Sequence, residues 1–254
     1  MMRRTKMEVA KELPCKNEET ILVNLGEGEM EAYEYIRIKA QEKAAKAKED
    51  KGNKANIDIL SEITKLRLAA CDIKLQNASW NGSSSKIMAF ESLVNGILST
   101  EESPQILVFS QFTSFLKMIE RKIKEKEIKY LYLDGTTTIK QRANLVDQFQ
   151  GGKVSVFLIS LQAGGVGLNL TAANHVILLD PWWNPAIEQQ AVDRAYRIGQ
   201  HRDVTIHHLI SCNTIEEKIV RLQQTKNDMA TALLTGQELG CNVTYDEMRE
   251  LIMR

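Results

Sequence analysis

The feature that most constrains this chain is a change of rhythm partway along it. From residue 106 onward, short uninterrupted apolar runs alternate with helical patterns. Strands are expected over 106–109, 129–133, 154–159, 175–179 and 204–210, with helices over 112–126, 138–149 and 185–197. Continuous apolar runs of this length mark strands buried on both faces, and strands separated by helices run parallel in one sheet. The expected fold class is therefore α/β, a three-layer domain with a mainly parallel sheet. In such sheets chemistry collects at the carboxyl ends of the strands.

The first 81 residues read differently. Glu27 to Asp50 is rich in Ala, Lys and Glu, and Ile59, Ile63, Leu66 and Ala70 recur at helical spacing, which predicts an N-terminal helical subdomain. Asn77 to Ser85, with Asn81-Gly82 and a run of serines, reads as a linker. Asn184 and Pro185 mark the start of the helix over 185–197. Thr214 followed by Glu217 predicts a capping box, and the helix it opens runs toward Leu234, where Gly236 suits a left-handed cap. The expected division is 1–81, 82–212 and 213–254.

With 254 residues the chain can bury a full core. Its 33 Lys and Arg balance 33 Asp and Glu, so a nucleic-acid partner would have to be met by local clustering of charge. Lys39–Lys54 and Lys117–Lys129 are basic stretches of that kind, although a solvated helix face has the same composition. Cys15, Cys71, Cys212 and Cys241 are widely separated with no CxxC pair, which disfavours a zinc site or a disulfide framework. No apolar run approaches the ~20 residues of a membrane span, and the charged opening is unlike a secretory signal, so a soluble intracellular protein is expected.

An α/β domain with glycine-rich loops invites a search for ATP. The GxxxxGK[ST] phosphate loop is absent: Gly152-Lys153 is followed by Val154, and Asp147 stands where the first glycine would be. Gly151-Gly152 reads as a tight turn before a strand. The run 176–180, VILLD, imitates the strand and Asp that hold Mg²⁺ in complete NTPases, but Asp180 is better read as the end of a buried strand. The expectation is a chain that does not bind Mg·ATP alone.

Gln190, Arg194 and Arg197 fall at i, i+4 and i+7 of the helix expected over 185–197, on one face. A solvated face with Arg194 paired to Asp193 or Glu188 would look the same. The alternative is an arginine clamp on a nucleotide's terminal phosphate, where permanently charged, forked guanidiniums stabilise transition-state charge. Context favours the clamp. The segment 160–170, SLQAGGVGLNL, follows a strand directly, and Gly164, Gly165 and Gly167 would let backbone N–H groups approach a phosphate.

At these residues the sequence resembles the C-terminal RecA-like lobe of the Swi/Snf family of superfamily-two DNA translocases. ILVFSQFT (106–113) is similar to the family's motif IV, YLDGT (132–136) to the block after it, and 160–170 to motif V. LLDPWWNP (178–185) resembles the stretch between motifs V and VI, and QQAVDRAYRIGQ (189–200) resembles motif VI, with Tyr196 where His is usual. MRRTK (2–6) and ELP (12–14) resemble the exit from the first lobe.

The resemblance implies a RecA-like domain with an N-terminal helical subdomain and C-terminal brace helices. It implies that Arg194 and Arg197, with Gln190, reach ATP and Mg²⁺ held mainly by a first lobe, and that Gly165 and Gly167 face the cleft between lobes. Ser110, Gln111, Gly135, Thr136 and Ser160 would hold one strand of double-stranded DNA by its phosphates, and Trp182 and Trp183 would sit near the minor groove or pack under the sheet. The implied partners are that first lobe, duplex DNA and a DNA-bound protein substrate, with no membrane. Cytoplasmic, nucleoid-associated localisation is expected for a bacterial member and nuclear localisation otherwise. A non-enzymatic docking or nucleic-acid-binding module and the second lobe of an RNA helicase are the competing readings. The tryptophan pair and the RIGQ segment (197–200) argue against the RNA helicase.

Overall fold

A computed structural model describes residues 13–46, 53–163, 168–232 and 245–253 of the chain. The elements run β1 (Lys16–Val23), α1 (Glu27–Lys46), α2 (Asn53–Cys71), a 3-10 turn (Ile73–Leu75), α3 (Ser85–Thr100), β2 (Ile106–Ser110) and α4 (Thr113–Glu125). They continue with β3 (Tyr130–Leu133), α5 (Ile139–Gln150), β4 (Val156–Ser160), β5 (His175–Leu178), α6 (Pro185–Val192), β6 (Val204–Ser211), α7 (Ile215–Ala232) and α8 (Tyr245–Met253). Among the described residues no helix is long and apolar enough to cross a membrane.

Six strands form one sheet in the order β1-β6-β5-β2-β4-β3. The pairs β2/β4, β2/β5, β3/β4 and β5/β6 are all parallel. Flanking helices complete the three-layer α/β fold expected from the sequence. Every residue of β2, β4 and β5 is buried, as uninterrupted apolar runs require of central strands.

β1 lies at the edge, and sequence reasoning missed it. Its run KNEETILV is mostly exposed, with charged residues outward, as befits an edge strand shielded from further pairing. Backbone bonds from Val204 N–H to Cys15 O and from Cys212 N–H to Val23 O attach it.

The chain divides into two compact units, both discontinuous in sequence. The first takes in residues 91–179 and 186–209 together with the start of the chain up to Ile21. Its core is built from Leu107, Phe109, Phe157, Ile159, Val176 and Ile206 on the strands, Phe149 on α5, and Ala191 and Val192 on α6. The Phe149 and Phe157 rings lie 5.4 Å apart. On α4, Phe115, Leu116, Ile119 and Ile123 form the buried stripe. Its basic face is tied to carboxylates: Lys117 and Lys124 to Glu120, Lys122 to Glu125, and Lys126 to Glu91. Gly151 caps α5 and Gly152 turns the chain at φ +68, which makes the Gly-Lys pair a turn before β4.

The second unit takes in residues 22–90, 180–185 and 210 onward. Tyr33 and Ala40 of α1, Ile59, Ile63 and Leu66 of α2, Ile215 and Ile219 of α7, and Ile252 of α8 form its core, with Trp80 and Trp183 packed against it. Trp80 belongs to the segment 77–85 read as a linker. A Cβ on Gly82 would stand 2.4 Å from the Trp80 ring, so the close approach of ring to backbone there requires glycine. Thr214 does cap α7, but through Glu216 N–H at 3.1 Å, whereas the reciprocal capping box forms at Thr138 and Gln141 at the start of α5. The Leu234 and Gly236 helix end, Cys241 and the 2–6 segment lie outside the described residues.

Candidate functional site at the carboxyl ends of the strands

The arginine segment departs from its expected geometry. The helix opened by Pro185 ends at Val192, not at residue 197. Beyond it the chain tightens: Arg194 and Ala195 N–H donate to the carbonyls three residues back, Arg197 N–H donates to Ala195 O, and Gly199 turns at φ +99. Gln190, Arg194 and Arg197 therefore do not share a helical face. Gln190 stays exposed on α6, Arg197 is exposed on the turn, and Arg194 is 8% exposed. Ala195, fully buried, is the anchor that pulls the turn inward and takes its neighbour with it.

Arg194 Nε donates to Gln190 O at 3.2 Å. Its NH1 is buried with no hydrogen-bond partner among the described residues. Among the described residues Arg194 forms no ion pair with Asp193 or Glu188 of the kind that a solvated face would show. Burial lowers the guanidinium pKa to about 10, which still leaves it protonated at neutral pH. A buried cation with an orphan donor is costly unless an anion completes it.

One backbone bond and one side-chain bond tie this turn to the segment between β4 and β5. Arg194 O accepts from Leu170 N–H at 3.0 Å, and the Gln200 amide donates to Ala173 O and Ala195 O. Gln200 also accepts from His201 and Arg202 N–H, so it is the bracket that closes the segment, a role its side-chain type alone does not signal. Gly164, Gly165 and Gly167, expected to face a nucleotide, lie outside the described residues.

The residues expected to grip DNA divide into buried and exposed groups. Ser110 and Ser160 face each other across β2 and β4 and are buried at 0% and 2% exposure. The Ser110 hydroxyl accepts from Phe112 N–H, and Gln111 is half-buried. Gly135 and Thr136 are exposed at the end of β3. Asp134 builds that turn by accepting from the Thr136 N–H and hydroxyl at 2.9 and 2.6 Å, and the Thr136 hydroxyl bond holds the Asp134 carboxyl below its usual range. The turn borders a cavity of about 430 Å³ lined by Tyr132, Thr136, Thr137, Gln141, Asn144 and Leu145.

In the second unit, Trp182 and Trp183 are half-buried with ring centroids 4.8 Å apart. Arg67, missed by sequence reasoning, organises them. It is 2% exposed, donates to Pro181 O at 2.9 Å, pairs with Asp180 at 3.5 Å, and lies 4.7 and 4.9 Å from the two rings. Asp180 stands two residues past the end of β5, where it faces the buried Arg67 guanidinium, rather than ending the strand itself. His207, expected to be structural, bridges His175 and Glu19 within the first unit.

The parallel sheet thus carries the exposed turn after β3 at its carboxyl edge, while the arginine-bearing turn is bonded to the Leu170–Ala173 segment that leads into β5. The model of the helicase conserved C-terminal domain matches residues 85–199, and that of the SNF2-related domain matches residues 1–75. An uncharacterized ATP-dependent helicase of Mycoplasma pneumoniae is 37% identical over 92% of this chain, which covers 22% of that relative. The DNA repair protein RAD5 of Cryptococcus neoformans is 44% identical over 66% of the chain and is covered over 14% of its own length.

Among solved structures, the Sulfolobus solfataricus SWI2/SNF2 ATPase C-terminal domain matches with TM-score 0.72 and 27% identity, covering 93% of this chain and 97% of that one. The Sulfolobus solfataricus SWI2/SNF2 ATPase core in complex with dsDNA matches with TM-score 0.74 and 30% identity, covering 98% of this chain and 53% of that one. The chain belongs to the Swi/Snf family and carries its C-terminal RecA-like lobe. It spans about a fifth or less of the length of these curated relatives.

Proposed function

We propose that this chain works as the second motor lobe of an ATP-dependent double-stranded DNA translocase. Residues 82–212 supply the lobe, 1–81 the helical segment leading from the first lobe, and 213–254 the brace. The observation that carries the reading is Arg194, a buried guanidinium whose NH1 has no hydrogen-bond partner among the described residues, on the same turn as the exposed Arg197 and bonded through its carbonyl to Leu170 N–H. Two arginines without a carboxylate partner among the described residues fit the polyanionic end of ATP, which would supply the transferable phosphoryl group.

Arg197 is the residue with access to a nucleotide on another lobe, and Arg194 gains a partner when phosphate oxygens arrive. Gln190 contributes an exposed amide on α6, and by the resemblance Gly165 and Gly167, outside the described residues, would face the cleft between lobes. Mg²⁺ would come with the nucleotide on the first lobe.

Gly135 and Thr136 grip one strand through phosphates from the exposed turn, with Ser110, Gln111 and Ser160 supporting them from the strand ends. Trp182 and Trp183 present aromatic surface to the duplex. Closure of the lobes on ATP and opening after hydrolysis would move the grip along the strand.

The test is ATP hydrolysis by the chain alone, with the first lobe of a Swi/Snf motor, and with that lobe plus duplex DNA. Activity confined to the complemented, DNA-bound mixture is expected. Activity of the chain alone, or duplex binding indifferent to salt, would overturn the reading.

A further inference from the structure

One side chain that no motif assignment uses joins the two loops at the DNA-facing edge. Arg142, in the first turns of α5, donates from Nε to Thr137 O at 2.9 Å and from NH1 to Ala163 O at 3.0 Å. Thr137 closes the turn after β3, where its hydroxyl accepts from Asp134 N–H and its own N–H donates to Asp134 O. Ala163 stands three residues past β4, immediately before the glycine segment. β3 and β4 are parallel neighbours, so the two loops leave the sheet side by side, with no backbone ladder between them once the strands end.

Arg142 itself is rigidly based. Its N–H bonds to Thr138 O at 2.9 Å, and the Thr138/Gln141 capping box fixes the start of its helix. Among the described residues it forms no ion pair with a carboxylate, so its charge reaches the loops without a local counter-ion.

Building on the proposed function, we propose that Arg142 is a positioning residue: its fork sets the distance between the 134–137 turn and the loop after β4, so that both present N–H groups to neighbouring phosphates of one strand. A guanidinium suits the task because its donors diverge at fixed angles and can serve two carbonyls at once. A lysine ammonium keeps the charge but lacks that rigid fork. Phosphate contacts that fix register without reading sequence depend on such spacing.

Two variants of the whole chain separate geometry from charge. In Arg142→Lys, amide hydrogen exchange at residues 134–137 and 161–163 should quicken about tenfold or more, while amides within β3 and β4 stay protected. Its Kd for a fluorescent duplex oligonucleotide should rise about tenfold, with the slope of log Kd against log salt unchanged. With the first lobe added, the DNA concentration for half-maximal ATPase should rise while kcat at saturating DNA holds within about threefold. Arg142→Gln should show the same exchange change.

Arg142→Lys behaving as wild type, with only Arg142→Gln weakened, would mean that charge alone matters and would overturn the proposal. Loss of protection throughout β3 and β4 would make Arg142 a support of the fold and would also overturn it. A wild-type chain that fails to bind duplex at all would sink the functional reading, and the exchange comparison would still decide whether Arg142 fixes the loops.

Discussion

Lys86 Nζ lies 2.6 Å from Glu216 Oε1, with both side chains sealed from solvent at 0% and 1% exposure. Ser211 N–H donates to the other carboxylate oxygen at 2.9 Å. The pair joins the first turn of α3 to the first turn of α7 within the second unit.

Breaking the pair should be expensive while replacing it whole should not. Lys86→Met alone leaves a buried carboxylate without its cation and is expected to cost about 3–5 kcal/mol, whereas Lys86→Met with Glu216→Leu should recover most of that. Urea unfolding followed by tryptophan fluorescence measures this directly, because Trp80, Trp182 and Trp183 all lie in the second unit and report on it. Equal losses in the single and double variants would show that the contact contributes by packing rather than charge.

Acid should destabilise the first unit through its histidines. Burial holds the His207 ring below its ordinary value, against the raising effect of Glu19, and burial does the same for His208. Unfolded, these rings titrate near 6.5. Below that pH the unfolded chain binds more protons than the folded one, so stability is complete above about pH 7 and falls as pH drops toward 5. Thermal unfolding followed by far-ultraviolet dichroism from pH 7.5 to 5.5 should show this fall. His208→Gln should flatten part of the slope, and a slope of opposite sign would contradict the assignment.

Thiol reactivity should follow burial. Cys15 is exposed, while Cys71 and Cys212 are buried, and burial raises both thiols. Brief alkylation of the native chain followed by peptide mass spectrometry should modify Cys15 and spare Cys71 and Cys212. Labelling of Cys71 at the rate of Cys15 would show that the second unit opens readily.

The sheet was legible because its central strands are apolar on both faces, and periodicity reports that directly. β1 was not legible: its half-polar run resembles a charged helix until β6 supplies an edge to pair with. The geometry of the arginine turn was not legible. Spacing placed Gln190, Arg194 and Arg197 on one helical face, whereas the demand to bury Ala195 ends the helix at Val192 and separates the two arginines. Arg67 and Arg142 escaped notice because their partners are backbone carbonyls, which no side-chain pattern reveals, and Pro181 O and Ala163 O are also remote in sequence.

A single substitution at the exposed arginine tests most directly whether this lobe completes an ATP site that another lobe begins. With the first lobe and saturating duplex DNA supplied, Arg197→Ala is expected to lower the ATPase rate about 10³-fold or more while leaving duplex affinity within about threefold. A mixture that hydrolyses ATP at the wild-type rate with both Arg194→Ala and Arg197→Ala in place would contradict that claim outright.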